Sequence, residues 1–243
     1  MQKTFYLFWT MLSLYTMTNA QNNSNNRLCD CKTYTSATPK EFTCYEGNKK
    51  DYTLTCALGE INGQVIIYDE NGAILSKSIY QNSKIEGEYI VYYESGDIQG
   101  KTPYINGQIN GDDMTYYKSG ALQRKITYQK GIPIGETIEY HECGAIKSKG
   151  IYKDGKLDGD YTFYYPSGIL QGKCFYIDGK IVGDKISYYE SGAIESKTPY
   201  KDGKINGKSI DYYPSGAIKT IDLYENSIWK ERIFYKEAEN FRE

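Results

Sequence analysis

Tyr188-Tyr189-Glu190-Ser191-Gly192-Ala193-Ile194, followed by Tyr200-Lys201-Asp202-Gly203-Lys204-Ile205-Asn206-Gly207, decides the fold, because the chain repeats this pattern at a fixed spacing. Tyr80, Tyr104, Tyr128, Tyr152, Tyr176, Tyr200 and Tyr224 stand 24 residues apart without a gap, and Cys56 holds the same phase one unit earlier. Offsets below are counted from this residue. Gly recurs at +7 (Gly63 to Gly207) and +16 (Gly72 to Gly216), Tyr at +12 (Tyr68 to Tyr212), and Ile or Leu at +18 (Ile74 to Ile218).

The chemistry of the unit predicts one hairpin per repeat. The Gly positions are read as turns, since a residue without Cβ adopts positive φ at little cost. A strand from about +8 to +13, such as Asp160 to Tyr165, leads through Pro166-Ser167-Gly168 into a second strand from +17 to about +24. A further turn such as Lys153-Asp154-Gly155-Lys156 follows. Positions +10, +12 and +18 share a side of the hairpin and are expected to form the core. A lone hairpin cannot shield that side, so stacking is required. The expectation is an all-β, elongated array of seven units, on the order of 65 Å long at about 4.8 Å per strand.

Outside the repeats, four segments are expected. Residues 1–20 read as a signal peptide: Lys3, an apolar run of about 12 residues, too short to span a bilayer, and Thr18-Asn19-Ala20 as a cleavage site. This predicts export to the periplasm or the cell exterior. Residues 21–55 form a polar segment and a Cys-rich N-terminal cap, 56–223 the seven repeats, and 224–243 a C-terminal cap bringing Trp229, Ile233 and Phe234 over the last hairpin.

The pattern Tyr-Tyr-x-Ser-Gly-x-Ile, as in Tyr92 to Ile98 and Tyr188 to Ile194, followed by Tyr-x-Asp-Gly-Lys-Ile-x-Gly, as in Tyr200 to Gly207, resembles the bacterial variant of the MORN repeat from residue 56 to about 223. The alternating Gly-x-Gly run and repeat Trp of the commoner eukaryotic units are absent. The resemblance implies an all-β hairpin array without catalytic residues. Bacterial members are often labelled as antitoxins, which implies a protein partner, a toxin.

Composition excludes some functions. The formal charge is −2, with 29 Lys and Arg against 31 Asp and Glu, so the chain lacks the clustered basic residues that nucleic acid or an anionic membrane requires. The single His, His141, lies beside Cys143 at a hairpin turn, in slots filled elsewhere by Tyr and Ser; one repeat that has drifted explains both better than a Cys and His site. No catalytic residue, metal site or cofactor is expected. Cys29, Cys31, Cys44 and Cys56 cluster in the N-terminal cap and suggest up to two disulfides of unspecified pairing, with Cys143 and Cys174 left unpaired. Tyr93, Tyr117, Tyr165, Tyr189 and Tyr213, at +13, are expected to point away from the +12 ring. They would form a second aromatic ladder, which is the candidate binding face for a protein, or alternatively for envelope lipid or glycan.

Overall fold

The structure, a computed structural model, describes residues 31–235. The expected signal peptide and Cys29 lie outside that range. The described residues form one 21-stranded antiparallel sheet with a single 3-10 turn, Cys31–Thr33, and no α-helix. Each strand pairs with the strand before and after it, as in Ile132–Tyr140 between Leu122–Gln129 and Ile146–Lys153, and the first and last strands do not meet. The array is therefore an open meander of tandem hairpins, the architecture the repeat predicts.

Each unit contains two tight turns. At +2 and +3 both residues take positive φ, as at Asn106 (51°) and Gly107 (81°), the geometry of a two-residue type I′ turn that matches the twist of the flanking strands. At +13 to +17 a wider turn is closed by two bonds: Tyr93 N–H to the Asp97 carbonyl (2.8 Å) and Gly96 N–H to the Tyr93 carbonyl (2.9 Å). Gly96, with φ 89°, is where the chain must turn left-handed.

Position +7 is not a turn. The first strand of each unit begins at +4; it runs unbroken through Gly135 in Ile132–Tyr140, and in other units is interrupted for one residue before the Gly, as between Lys84–Ile85 and Gly87–Tyr92. Pairing jumps there from Ile126↔Thr137 to Thr127↔Ile134, leaving Gly135 and Glu136 without a direct counterpart on that side. This bulge explains Pro103 and Pro199 in interior strands, where a missing N–H normally excludes proline. Both stand at +23 beside the bulge, and the carbonyl of Pro103 still accepts a bond from Asn110 N–H (2.9 Å).

The core also lies elsewhere than expected. Directly paired residues share a face, so Tyr161↔Cys174 and Phe163↔Gly172 place +9, +11, +20 and +22 on one side. Tyr152↔Leu157 adds the Tyr at +0 and the Ile or Leu at +5. From Val65 onward every buried residue named here belongs to this side: Val65, Ser76, Ser78, Ile85, Ile126, Thr137, Ser148, Cys174, Thr220 and Asp222. The +10, +12 and +18 columns occupy the opposite side, where they are only half-buried or, at Ile146 and Ile194, exposed. The reason is the size of the partners. Gly150 and Gly172 leave room for the rings of Tyr161 and Phe163 to lie across them; a Cβ on Gly150 would stand 2.5 Å from Tyr161 Cδ2. Rings over small residues close one face without a second layer, whereas the side bearing +12 and +18 has nothing small to fold onto.

The two ends differ. Cys31–Cys56 is a disulfide, with 5.3 Å between the Cα atoms, and Cys44 is also disulfide-bonded. Around them Tyr52, Leu54 and Val65 are buried, with Tyr34, Phe42, Ile61, Ile67 and Tyr80 packed against them. At the other end Ile228–Phe234 does not fold over the last hairpin. It joins the sheet as its final strand, paired with Ile218–Glu225, with all seven residues exposed.

Candidate binding surface

The open face is a regular lattice. At one end of the strands the +12 Tyr pairs with the +18 Ile or Leu, as in Tyr164↔Leu170. In the middle +10 pairs with the +21 Lys, as in Ile186↔Lys197, and at the far end +8 pairs with +23, as in Asp160↔Phe175. Lys125 meets Asp112 at 2.7 Å and Lys197 meets Asp184 at 3.0 Å. The hydrogen bond from Lys125 holds the Asp112 carboxyl below the usual carboxylate range, with a second from Thr127. Lys77 lies over the Tyr92 ring, 5.6 Å from its centroid. Two of the six +21 lysines are thus paired with a carboxylate of their own unit, and a third lies over a ring of the next. The +23 row is the most exposed apolar element: Ile79, Ile151, Phe175 and Leu223 are 52%, 49%, 43% and 37% exposed.

The buried face carries polar chemistry of a different kind. Arg124 stands at +20, a column of Ser, Gly and Thr in the other units, and its Nη2 bonds Asp113 at 3.2 Å. Thr102 donates to the same carboxylate at 2.6 Å. Asp222, 5% exposed, accepts from Arg232 Nε and Nη2, both at 2.6 Å, and from Trp229 Nε1 at 3.1 Å. The Arg232 bonds hold the Asp222 carboxyl low. Burial pushes the phenols of Tyr104 and Tyr176 up to about 12. The Asp222 cluster is closed by donors within the sheet, whereas Arg124 Nε is buried without a hydrogen-bond partner.

The +13 tyrosines have a structural partner that strand alternation does not foresee, because +13 lies past the strand end as the first residue of the turn. The Tyr93 hydroxyl donates to the carbonyl of Tyr116, the +12 residue of the next unit, at 2.6 Å. Tyr117 reaches Tyr140 (2.7 Å), Tyr165 reaches Tyr188 (2.8 Å), Tyr189 reaches Tyr212 (2.7 Å), and Tyr213 reaches Tyr235 (3.2 Å). His141 fills the same slot in the fourth unit, with Nε2 2.8 Å from the Tyr164 carbonyl. These bonds latch unit to unit. The signal was present as the spacing of 23 between each +13 side chain and the next +12 residue, but nothing in the sequence marks a carbonyl as the acceptor. In the first unit Asp69 replaces Tyr and accepts from Asn71 and Ala73 within its own turn instead.

The other expected site residues fall as follows. Cys143 is exposed and Cys174 buried, both as free thiols. No group of three or more His, Cys, Asp or Glu among the described residues could hold a metal ion, and no described helix is long and apolar enough to cross a membrane.

A tandem array of identical hairpins, held by bulges, turns and inter-unit latches, defines the class as a β-hairpin repeat protein. The family model for the MORN repeat variant matches residues 61–82, 85–106, 157–178 and 181–202, so the chain contains MORN-variant repeats over those segments. The third, fourth and seventh units lie outside those matches yet keep the same register. No curated protein matches the chain. Among solved structures, it is similar to one described as TcdB2-TccC3-Cdc42 at 13% identity and a TM-score of 0.21, over 76% of this chain and 10% of that chain. A porin-like protein from Bacteroides uniformis ATCC 8492 gives 8% identity and 0.21 over 79% and 91%. The Photorhabdus luminescens Tc holotoxin pore gives 11% and 0.18 over 84% and 14%. The chain thus spans about a tenth of the first of these. TM-scores of this size are too low to define a shared fold.

Proposed function

We propose that the protein is a non-enzymatic binding module, exported from the cytoplasm, that holds another protein along its open face. One observation carries this reading. The open face repeats Tyr at +12, Ile or Leu at +18 and Lys at +21 in nearly every unit, as constantly as the buried face repeats Tyr at +0, whereas the buried columns +9, +11, +20 and +22 vary, from Tyr89 to Asp113 to Lys185 at +9. Packing normally constrains the buried side and leaves the exposed side free to drift. Constancy on the open side is what a shared contact surface requires. The +13 tyrosines, whose hydroxyls latch the units, support that surface from its edge.

A toxin is the partner class that fits the family resemblance, with the protein acting in the manner of an immunity protein or antitoxin. Co-expression with the product of a neighbouring gene tests this: relief of killing with a co-purifying complex supports it, and unchanged killing without a complex rejects it. Ile151→Glu with Phe175→Glu should abolish the complex while leaving the circular dichroism spectrum intact.

The second reading is an envelope scaffold that binds glycan or lipid. It is favoured by the uniform repeat of the +12 tyrosines, one every two strands or about 10 Å. Retention on purified cell wall or liposomes, lost in the same double variant, would support it; no retention on either counts against it. Cell fractionation tests export directly: recovery of the chain only from the cytoplasm overturns that part of the proposal.

A further inference from the structure

Among the described residues the sheet stops in the middle of a hairpin. The latch from Tyr213 ends on the carbonyl of Tyr235, as each earlier latch ends on a +12 residue, so Tyr235 fills the +12 slot of an eighth unit. It does so one residue early. Pairing runs Leu223↔Glu231 and Tyr224↔Trp229, skipping one residue where the other units skip two, so the eighth unit has lost a bulge residue, and no Gly remains at its bulge. In every earlier unit the outer edge of this strand pairs with a second strand, as Gly207–Tyr212 does with Ile218–Glu225. Among the described residues nothing pairs with the outer edge of Ile228–Phe234, and Ile228, Trp229, Ile233 and Phe234 are 61%, 54%, 45% and 74% exposed.

We propose that this edge pairs antiparallel with the same edge of a second copy, joining two arrays tail to tail across a two-fold axis. Topology selects this arrangement. Strands alternate in direction along the meander, and the two outermost, Lys40–Glu46 and Ile228–Phe234, run the same way. Head-to-tail stacking would set them parallel, against the antiparallel ladder of the whole sheet; tail-to-tail stacking continues that ladder.

The side chains select a register. Because Lys230 is the extra residue of the bulge, Trp229 and Arg232 share the face of Tyr224 and Asp222, and Ile228 and Ile233 share the other face. A two-fold pairing that sets Lys230 beside Glu231 of the second copy puts Trp229 opposite Arg232 and Ile228 opposite Ile233, each pair on one face. A shift of one residue either way sets Glu231 against itself or Lys230 against itself. The Arg232 guanidinium is held in plane by Asp222 and lies over the Phe234 ring, 5.7 Å from its centroid, which leaves its other face for the indole of Trp229 of the second copy. Seven residues on each side make a small interface, of the size of weak, transient associations.

Sedimentation velocity of the oxidised full chain, from low micromolar to high micromolar concentration, is expected to show a concentration-dependent dimer. Ile228→Lys with Ile233→Lys should weaken it at least tenfold with unchanged circular dichroism. In a Cys143→Ser background, Ile228→Cys with Ile233→Cys should cross-link on mild oxidation, and each single substitution should not. A monomer at every concentration overturns the proposal, leaving Lys230-Glu231-Arg232 as a charged guard on the edge. If removal of residues 236–243 then produces the dimer, the edge belongs to the chain's own C-terminal residues. A dimer indifferent to the double Lys variant places association elsewhere, and equal cross-linking by the single variants rejects the register.

Discussion

The two ends of the sheet close the same repeat in opposite ways. At the N-terminal end the residue in the Tyr phase is Cys56, tied to Cys31, and the Cys31 to Ser36 segment bonds the first turn through Gly59 N–H to Tyr34 O (2.7 Å) and Leu58 N–H to Ser36 O (2.8 Å). At the C-terminal end Trp229 and Arg232 converge on Asp222, but the strand that carries them stays exposed. Repeat units contact only their neighbours, so each terminal unit lacks half of its stabilising contacts. Covalent closure supplies them at one end. At the other a buried carboxylate with charged and indole donors holds the strand, whose outer edge, like that of Lys40–Glu46, pairs with nothing among the described residues.

The sharpest way to break this contrast is to reduce the disulfides. Reduction, or Cys56→Ser, should cost about 2–5 kcal/mol and unfold the N-terminal units first, read as a lower Tm and early hydrogen exchange over residues 40–68. Between the ends, Gly172→Val tests whether rings over small residues form the core. The added side chain meets Phe163 and the Ile186 carbonyl, and about 1–3 kcal/mol of destabilisation is expected in chemical denaturation. At the C-terminal end Asp222→Ala should speed exchange over residues 218–234 by about tenfold while the disulfide-bonded end stays protected. Tyr117→Phe removes one latch to Tyr140 and should cost about 1 kcal/mol, with exchange rising on both sides of that turn.

The last effect is one of pH. The Tyr104 and Tyr176 phenols, raised from 10 to about 12 by burial, stay neutral in the fold after the unfolded chain has begun to ionise. Their contribution is therefore fully present below about pH 10 and lost as pH rises towards 12. Tm should be flat to pH 9.5 and fall above it; a flat profile to pH 12 would show that these rings are not buried.

Much of this was legible in the sequence. The spacing of 24 gave the hairpin array, and Asp154-Gly155 and Ser167-Gly168 gave both turns, since their φ values follow from residue type. The Gly at +7 was misplaced in a turn because a bulge and a turn both demand positive φ, and single residues do not distinguish them. Pro103 and Pro199 at +23 were the available sign of the bulge. Tyr at +12 reads as core because it never varies, but constancy does not distinguish the faces: the equally constant Tyr at +0 lies on the buried side, beside the variable columns +9, +20 and +22.

By itself the sequence determined the repeat length, the turn chemistry, the all-β class and the clustering of cysteines at one end, because these depend on local backbone preferences and on counting. Which face closes was decided only in the tertiary structure. Face selection depends on whether large rings find small partners on adjacent strands, as Tyr161 finds Gly150, and on which carbonyl a turn tyrosine can reach one unit away. Both are distances between strands, and they exist only once the strands are side by side.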